Sequence, residues 1–179
     1  MFPELEAHYQ LLKKWNQVLN LTSVDRYEEA VERHYGESLF LGRHLPDGRL
    51  RIVDIGSGAG FPGIPVAVLR QECQVTLVES HQRKAVFLRE ATRNLANVRV
   101  LAKRAEAVTD SFDWAISRAV SYTDLSKALR RLASRAALLT GSEDPPTSLG
   151  FAWESVIPVP GGTQRYLRLG VSRETTQTS

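Results

Sequence analysis

The stretch Val53-Asp54-Ile55-Gly56-Ser57-Gly58-Ala59-Gly60-Phe61-Pro62-Gly63 decides the fold. The apolar run from Leu50 to Ile55 reads as a buried strand, and it meets glycines at alternating positions before a helical segment starts near Pro65. Glycines after a strand allow a tight turn and let the backbone approach a ligand closely. The spacing Gly58-x-Gly60-x-x-Gly63 matches the dinucleotide-binding pattern literally. The strand ends near Ile55, however, so Gly56 is the first turn glycine and Phe61 stands where the third would be needed. Pro62 also removes an N–H that a pyrophosphate would use. No Gly-Lys-Ser/Thr follows, which excludes a P-loop.

Outward from this turn, helices alternate with strands. Leu5, Tyr9, Leu12, Trp15 and Leu19 have the spacing of an amphipathic helix over 5–19, and a second helix is predicted from Glu28 to about Leu45, before Pro46-Asp47-Gly48. Residues 1–48 thus form a helical extension and 49–179 the domain proper. Helices are predicted at Pro65–Gln71, Gln82–Leu95 and Thr123–Ala133, and strands at Gln74–Val78, Val98–Leu101, Phe112–Ser117 and Ala136–Thr140. Val156–Val159 and Arg165–Leu169 read as a closing hairpin across Pro160-Gly161-Gly162, and Glu143–Gly150 as a polar loop. The alternation implies a mostly parallel, seven-stranded sheet covered on both faces.

Val78-Glu79-Ser80 closes the second strand, and a carboxylate there can accept hydrogen bonds from both hydroxyls of a ribose. An acid before the glycine turn, Asp54, with Gly56, Gly58 and Gly60, and an acid at the next strand end form the pattern of class I S-adenosylmethionine methyltransferases, a Rossmann-like α/β fold. A dinucleotide site and a purely structural turn are the alternatives. The segment Lys103-Arg104-Ala105-Glu106 follows the third strand, where an Ala105 N–H and the Glu106 side chain can read an adenine.

Composition sets the class. In 179 residues, 42% are hydrophobic and 24% charged, which is ordinary for a folded soluble domain. A single cysteine, Cys73, excludes an intrachain disulfide framework, no His/Cys group has zinc spacing, and no apolar run nears the roughly 18 residues of a membrane span. The first residues lack the pattern of a signal peptide, so a cytoplasmic protein is expected. Net charge is only +3, but Arg83, Lys84, Arg89, Arg93, Arg99, Lys103 and Arg104 face Glu90 alone over residues 81–104, and Lys127, Arg130, Arg131 and Arg135 follow without an acid. Such segments suit a polyanion or are merely the solvated faces of helices.

Missing motifs narrow the chemistry. Ile116-Ser117-Arg118-Ala119 stands where amine methylases carry Pro-Pro-aromatic, and Cys73, before the second strand, is badly placed as a nucleophile. An acceptor with a free lone pair, such as guanine N7, needs no proton removed and fits that absence, since holding it in line with the sulfonium methyl is then the main task.

Several segments together resemble one family: Lys14-Trp15-Asn16 with Asn20-Leu21-Thr22; Arg33-His34-Tyr35-Gly36-Glu37-Ser38-Leu39; the glycine run through Phe61-Pro62-Gly63-Ile64-Pro65; Arg83-Lys84-Ala85-Val86-Phe87-Leu88; and Ser117-Arg118-Ala119. The chain resembles the RsmG (GidB) family, which methylates guanine N7 in bacterial 16S ribosomal RNA. The resemblance implies cofactor contacts from Gly56, Phe61, Glu79, Ser80, His81, Ala105 and Glu106. It places Arg118 as the catalytic residue by the cofactor and target base, and Arg33, His34, Ser38 and Lys84 as residues closing the pocket. It implies S-adenosylmethionine as cofactor, 16S rRNA or the small ribosomal subunit as partner, and a monomer. Departures are Glu37-Ser38 for the usual Asp-Ser, Val120-Ser121 for Phe-Ala, and Thr140-Gly141 for Lys-Gly after the fifth strand, with a shortened loop at 144–150. The lost lysine implies a missing basic contact to RNA. It keeps open a non-catalytic RNA-binding protein, beside a small-molecule methyltransferase.

Overall fold

A computed structural model describes residues 1–173, so residues 174–179 of the expected domain lie outside the described residues. Seven strands form one sheet in the order β3-β2-β1-β4-β5-β7-β6. β1 (Arg51–Ile55), β2 (Gln74–Val78), β3 (Val98–Leu101), β4 (Phe112–Arg118) and β5 (Ala133–Thr140) run parallel. β7 (Tyr166–Ser172) is inserted antiparallel between β5 and β6 (Phe151–Pro158). β1, buried on both faces, carries an apolar sequence with hardly any alternation. The expected hairpin is present, with both strands longer than the sequence suggested, because β5 supplies a third strand to pair with.

On one face α1 (Pro3–Asn16), α3 (Glu37–His44), α4 (Gly63–Leu69) and α5 (Gln82–Ala91) pack over Ile52, Leu77, Trp114 and Leu139. Leu5, Tyr9 and Leu12 of α1 belong to this same buried cluster, so the first 48 residues share a core with the sheet. The opposite face is covered by α6 (Tyr122–Ser126) and α7 (Leu129–Leu132), which bury Leu125, Leu129 and Leu132 against Val53, Ala115 and Ala136.

Two expectations need correction. The helix predicted at Thr123–Ala133 is broken at Lys127–Ala128, and Ala133 is already strand, paired with Phe112. Leu125, Leu129 and Leu132 still share one buried face, but ladder pairing with β4 takes Ala133 out of the helix. The helix predicted from Glu28 is α2 (Tyr27–Glu29), a π-helical stretch over Ala30–Gly36, and α3. Wide turns of this kind recur at functional sites; here the stretch precedes the buried Glu37 and Ser38 and contains the buried His34.

Candidate functional site

The carboxyl edge of the parallel strands carries the clefts, where open α/β sheets lead one to expect a ligand. The turn after β1 is pinned by its backbone: the amides of Gly56 and Ser57 donate to the Val78 carbonyl at 2.9 and 3.1 Å. Gly56 has φ +70°, and a Cβ there would lie 2.6 Å from Val120 Cγ2, so only glycine fits without strain. Gly63 starts α4, and its amide donates to Asp54 Oδ2 at 3.0 Å. Asp54 is fully buried and its Oδ1 has no partner, so desolvation pushes its carboxyl up to about 7. Asp54 therefore shapes the turn from behind, outside the cleft. Gly60 also faces away, toward Ile64 and His8.

Glu79 ends β2 with its carboxylate over the turn, accepting from Gly58 N–H at 2.9 Å and from His81 N–H at 3.0 Å. A carboxylate offers about four lone-pair sites, so acceptor capacity is left over. His81 itself caps α5 through Nδ1, exposed, and lines no part of the cleft.

Two lobes meet at Gly56. One, about 280 Å³, is lined by Leu21, Thr22, His34, Ser57, Gly58, Phe61, Glu79, Lys84 and Arg118. The other, about 220 Å³, is lined by Ser80, Lys103, Arg104, Ala105, Glu106, Val120 and Asp124. Pockets for small molecules usually measure roughly 300–1,000 Å³, so the lobes suit a two-part ligand only together. Arg131, expected to face solvent or phosphate, instead donates to the carbonyls of Ala105, Glu106 and Val108 and so shapes the second lobe.

The N-terminal helices wall the first lobe. Phe61 lies against His34 at 4.7 Å between ring centroids, and against Tyr35 and His8 at 4.9 and 5.2 Å. His34 Nε2 shares a 2.7 Å hydrogen bond with Thr22 Oγ1, while its buried Nδ1 has no partner. Burial first, then Arg118, lowers the His34 pKa to about 3. His8 is held near pKa 4 by burial and is neutral: Nε2–H donates to the Ala59 carbonyl at 2.8 Å, leaving Nδ1 to accept from Tyr35 Oη at 2.7 Å. Asn16 clamps the loop above the lobe, donating to Thr22 O and accepting from the amides of Leu21 and Thr22.

Arg118, at the end of β4, has only 11% of its side chain exposed. Nη1 donates to Arg33 O at 3.1 Å and Nε lies 3.9 Å from Glu37 Oε2; desolvation brings its pKa down to about 10 against the opposing pull of Glu37. The Arg33 guanidinium points elsewhere, to Glu29, so this residue serves through its carbonyl. Ser38 is fully buried and donates to His34 O, a helix contact outside the cleft.

Beyond Arg118 a wider cleft of about 720 Å³ opens between the ends of β4 and β5, lined among others by Ala119, Tyr122, Thr140, Asp144 and Arg165. Behind Thr140, and outside the lining of this cleft, Arg168 of β7 is 4% exposed and donates from Nε to Thr140 Oγ1 at 2.9 Å and from Nη1 to Asp144 at 2.7 Å. Sequence reasoning missed His8, Thr22, Glu37, Asp124, Arg165 and Arg168. Of these, Thr22 and Glu37 stood inside segments already singled out, and the rest carry no local signal.

A glycine turn after β1, an acid at the end of β2 and paired clefts on this edge of a 3-2-1-4-5-7-6 sheet define the class I methyltransferase fold. The chain belongs to the rRNA small subunit methyltransferase G (GidB) family, whose family model matches residues 1–139. It is 45% identical over 133 residues to ribosomal RNA small subunit methyltransferase G of Nitrosomonas europaea, covering 70% of this chain and 61% of that protein. The namesake from Dichelobacter nodosus is 43% identical over 162 residues, covering 85% and 76%. A solved SAM-dependent methyltransferase from Aquifex aeolicus shares the fold at TM-score 0.63 and 16% identity, over 96% of this chain and all of that one. Among the described residues, no helix is long and apolar enough to cross a membrane.

Proposed function

We propose that this chain transfers the methyl group of S-adenosylmethionine to N7 of a guanine in 16S rRNA. The observation that carries the reading is the position of Arg118: it lines the first lobe together with Glu79, and its neighbour Ala119 lines both that lobe and the wider cleft. A donor and an acceptor can therefore meet beside one guanidinium. Family membership supports ribosomal RNA as the acceptor.

The residues present suit the donor. Glu79 keeps free acceptor sites for ribose hydroxyls, Gly56 and Gly58 let the backbone come close, and Ala105 with Glu106 edges the second lobe. Phe61 offers an apolar wall. When bound, S-adenosylmethionine supplies a methyl group on a positively charged sulfur. The protein then has to orient the acceptor. Arg118 offers N–H donors at the partition and can hold a base by its carbonyl oxygen. Guanine N7 has a free lone pair, so no side chain must take a proton before attack, and His34, kept neutral by burial, acts as wall and not as base. Lys84, Lys103 and Arg104 rim the donor lobes where a nucleic-acid backbone would pass. The reading includes a monomer working in the cytoplasm.

The test is methyl transfer from methyl-labelled S-adenosylmethionine to unmethylated small subunits, and to free rRNA in parallel, followed by nucleoside analysis. Label in 7-methylguanosine is expected. No label, with donor binding intact, would leave an RNA-binding protein that has kept the fold.

A further inference from the structure

Arg118 belongs to the donor cleft and Arg165 to the acceptor cleft, and both converge on Glu37. The Glu37 carboxylate is 4% exposed. Arg165 grips it with both arms of its fork, Nη2 to Oε2 at 2.8 Å and Nε to Oε1 at 3.3 Å. Arg118 stands back: its Nε is 3.9 Å from Oε2, beyond a hydrogen bond, and among the described residues its close partner is the Arg33 carbonyl. Two cations, Arg118 at 11% and Arg165 at 28% exposure, thus share one buried anion unequally.

The inequality matters because a buried carboxylate keeps its charge only while hydrogen-bonded, and it takes the best partner within reach. While Arg165 satisfies Glu37, Arg118 is held loosely and keeps N–H groups to offer toward the donor lobe. If Arg165 turns to an anionic group in the acceptor cleft, such as a nucleic-acid phosphate, Glu37 loses its bidentate partner and draws Arg118 in. The same three side chains join the helix that starts at Glu37, the end of β4 and the base of β7, so the link crosses the molecule without any loop rearrangement.

We propose that Glu37 is the positioning residue through which the acceptor cleft sets the geometry of Arg118 in the donor cleft. The coupling is reciprocal: the donor must then alter how Arg165 meets an acceptor, by the same factor. The proposal rests on the methyl-transfer reading only in naming the two ligands.

The experiment is calorimetric titration of S-adenosylmethionine, without RNA, into the native chain, Arg165→Met, Glu37→Gln and the double variant. Arg165 does not line the donor lobes, so a structural role confined to the hairpin predicts no change. The expected result is a shift in donor affinity of threefold or more for Arg165→Met, shrinking below twofold when Glu37 is already Gln. An unchanged affinity in Arg165→Met, or the same shift in both backgrounds, overturns the proposal. If Glu37→Gln fails to fold, Arg165→Lys keeps the charge but loses the fork. Its effect is then read on the Arg118 Nε–H resonance of arginine-labelled protein: a displaced signal supports the link and an unmoved one refutes it. That readout needs no ligand, so it decides the coupling even if the native chain binds no methyl donor.

Discussion

Around the donor cleft the shaping contacts are made largely by backbone and close in sequence, whereas around the acceptor cleft they are made by arginines arriving from far away. Asp54 meets the Gly63 amide nine residues on, and Glu79 meets the Gly58 amide at a separation of 21. Arg165 reaches Glu37 across 128 residues, and on the partition between the two clefts Arg118 reaches the Arg33 carbonyl across 85. A turn fixed by glycines and amides tolerates little change in residue type. A cleft assembled from long side chains can exchange one for another, provided a cation still arrives.

The strongest test of that contrast is Arg118, the residue on the partition. Arg118→Ala should cut methyl transfer by about 10²–10³-fold, the usual loss for one positioned donor, while near-UV circular dichroism stays native. Single-turnover assays check it, and unchanged turnover would remove Arg118 from the mechanism. On the donor side alone, Glu79→Ala should weaken S-adenosylmethionine by about 10–100-fold, from hydrogen bonds to a charged acceptor worth about 1.5–3 kcal/mol each. Filter retention of RNA should be unaffected.

On the acceptor side, Arg165→Ala should raise the KM for RNA by about tenfold, the worth of one charge-assisted contact at the lining of that cleft. Adding Thr140→Lys to that variant should restore the KM, because the cation then enters the same cleft from β5 instead of from the start of β7. If the lysine restores nothing, the cleft is not interchangeable in the way its architecture implies.

The smallest effect concerns pH. His8 and His34 have pKa values lowered to about 4 and about 3, so the unfolded chain takes up protons near pH 6.5 before the folded one does. They add stability that is present above pH 6.5 and lost as pH falls toward those values. Asp54, raised to about 7, acts in reverse: its contribution is complete at low pH and lost as pH rises through about 7. Denaturant midpoints between pH 6.5 and 4.5 should therefore fall with the slope of roughly one net proton, about 1.4 kcal/mol per pH unit. His8→Gln should flatten that slope and Asp54→Asn steepen it.

The same contrast governs what can be read without coordinates. The β1 turn, Glu79 and a mostly parallel α/β sheet follow from glycine spacing and alternating elements, since those constraints act over a few residues. Phe61, Lys84, Ala105 and Glu106 line the two lobes beside Gly56. Arg33, Ser38 and His81 sit nearby but act through a carbonyl, a buried hydroxyl and a helix cap. Proximity in a motif says little about where a side chain points. Glu37 and Arg165 could not be paired from sequence, because only the hairpin's insertion beside β5 brings them together. The pairing of Arg168 with Thr140 was invisible for the same reason.

That insertion has a consequence for synthesis. β7 follows every other strand in the chain, yet it lies inside the sheet, between β5 and β6. A nascent chain released up to residue 160 has its glycine turn and Glu79 complete, but β5 is still an open edge and Glu37 has no Arg165. Such an intermediate would be able to hold a methyl donor before the acceptor side exists, and its bare strand edge would be prone to pair with other chains until the last strand arrives. Completion of the wider cleft thus waits on the last of the described strands.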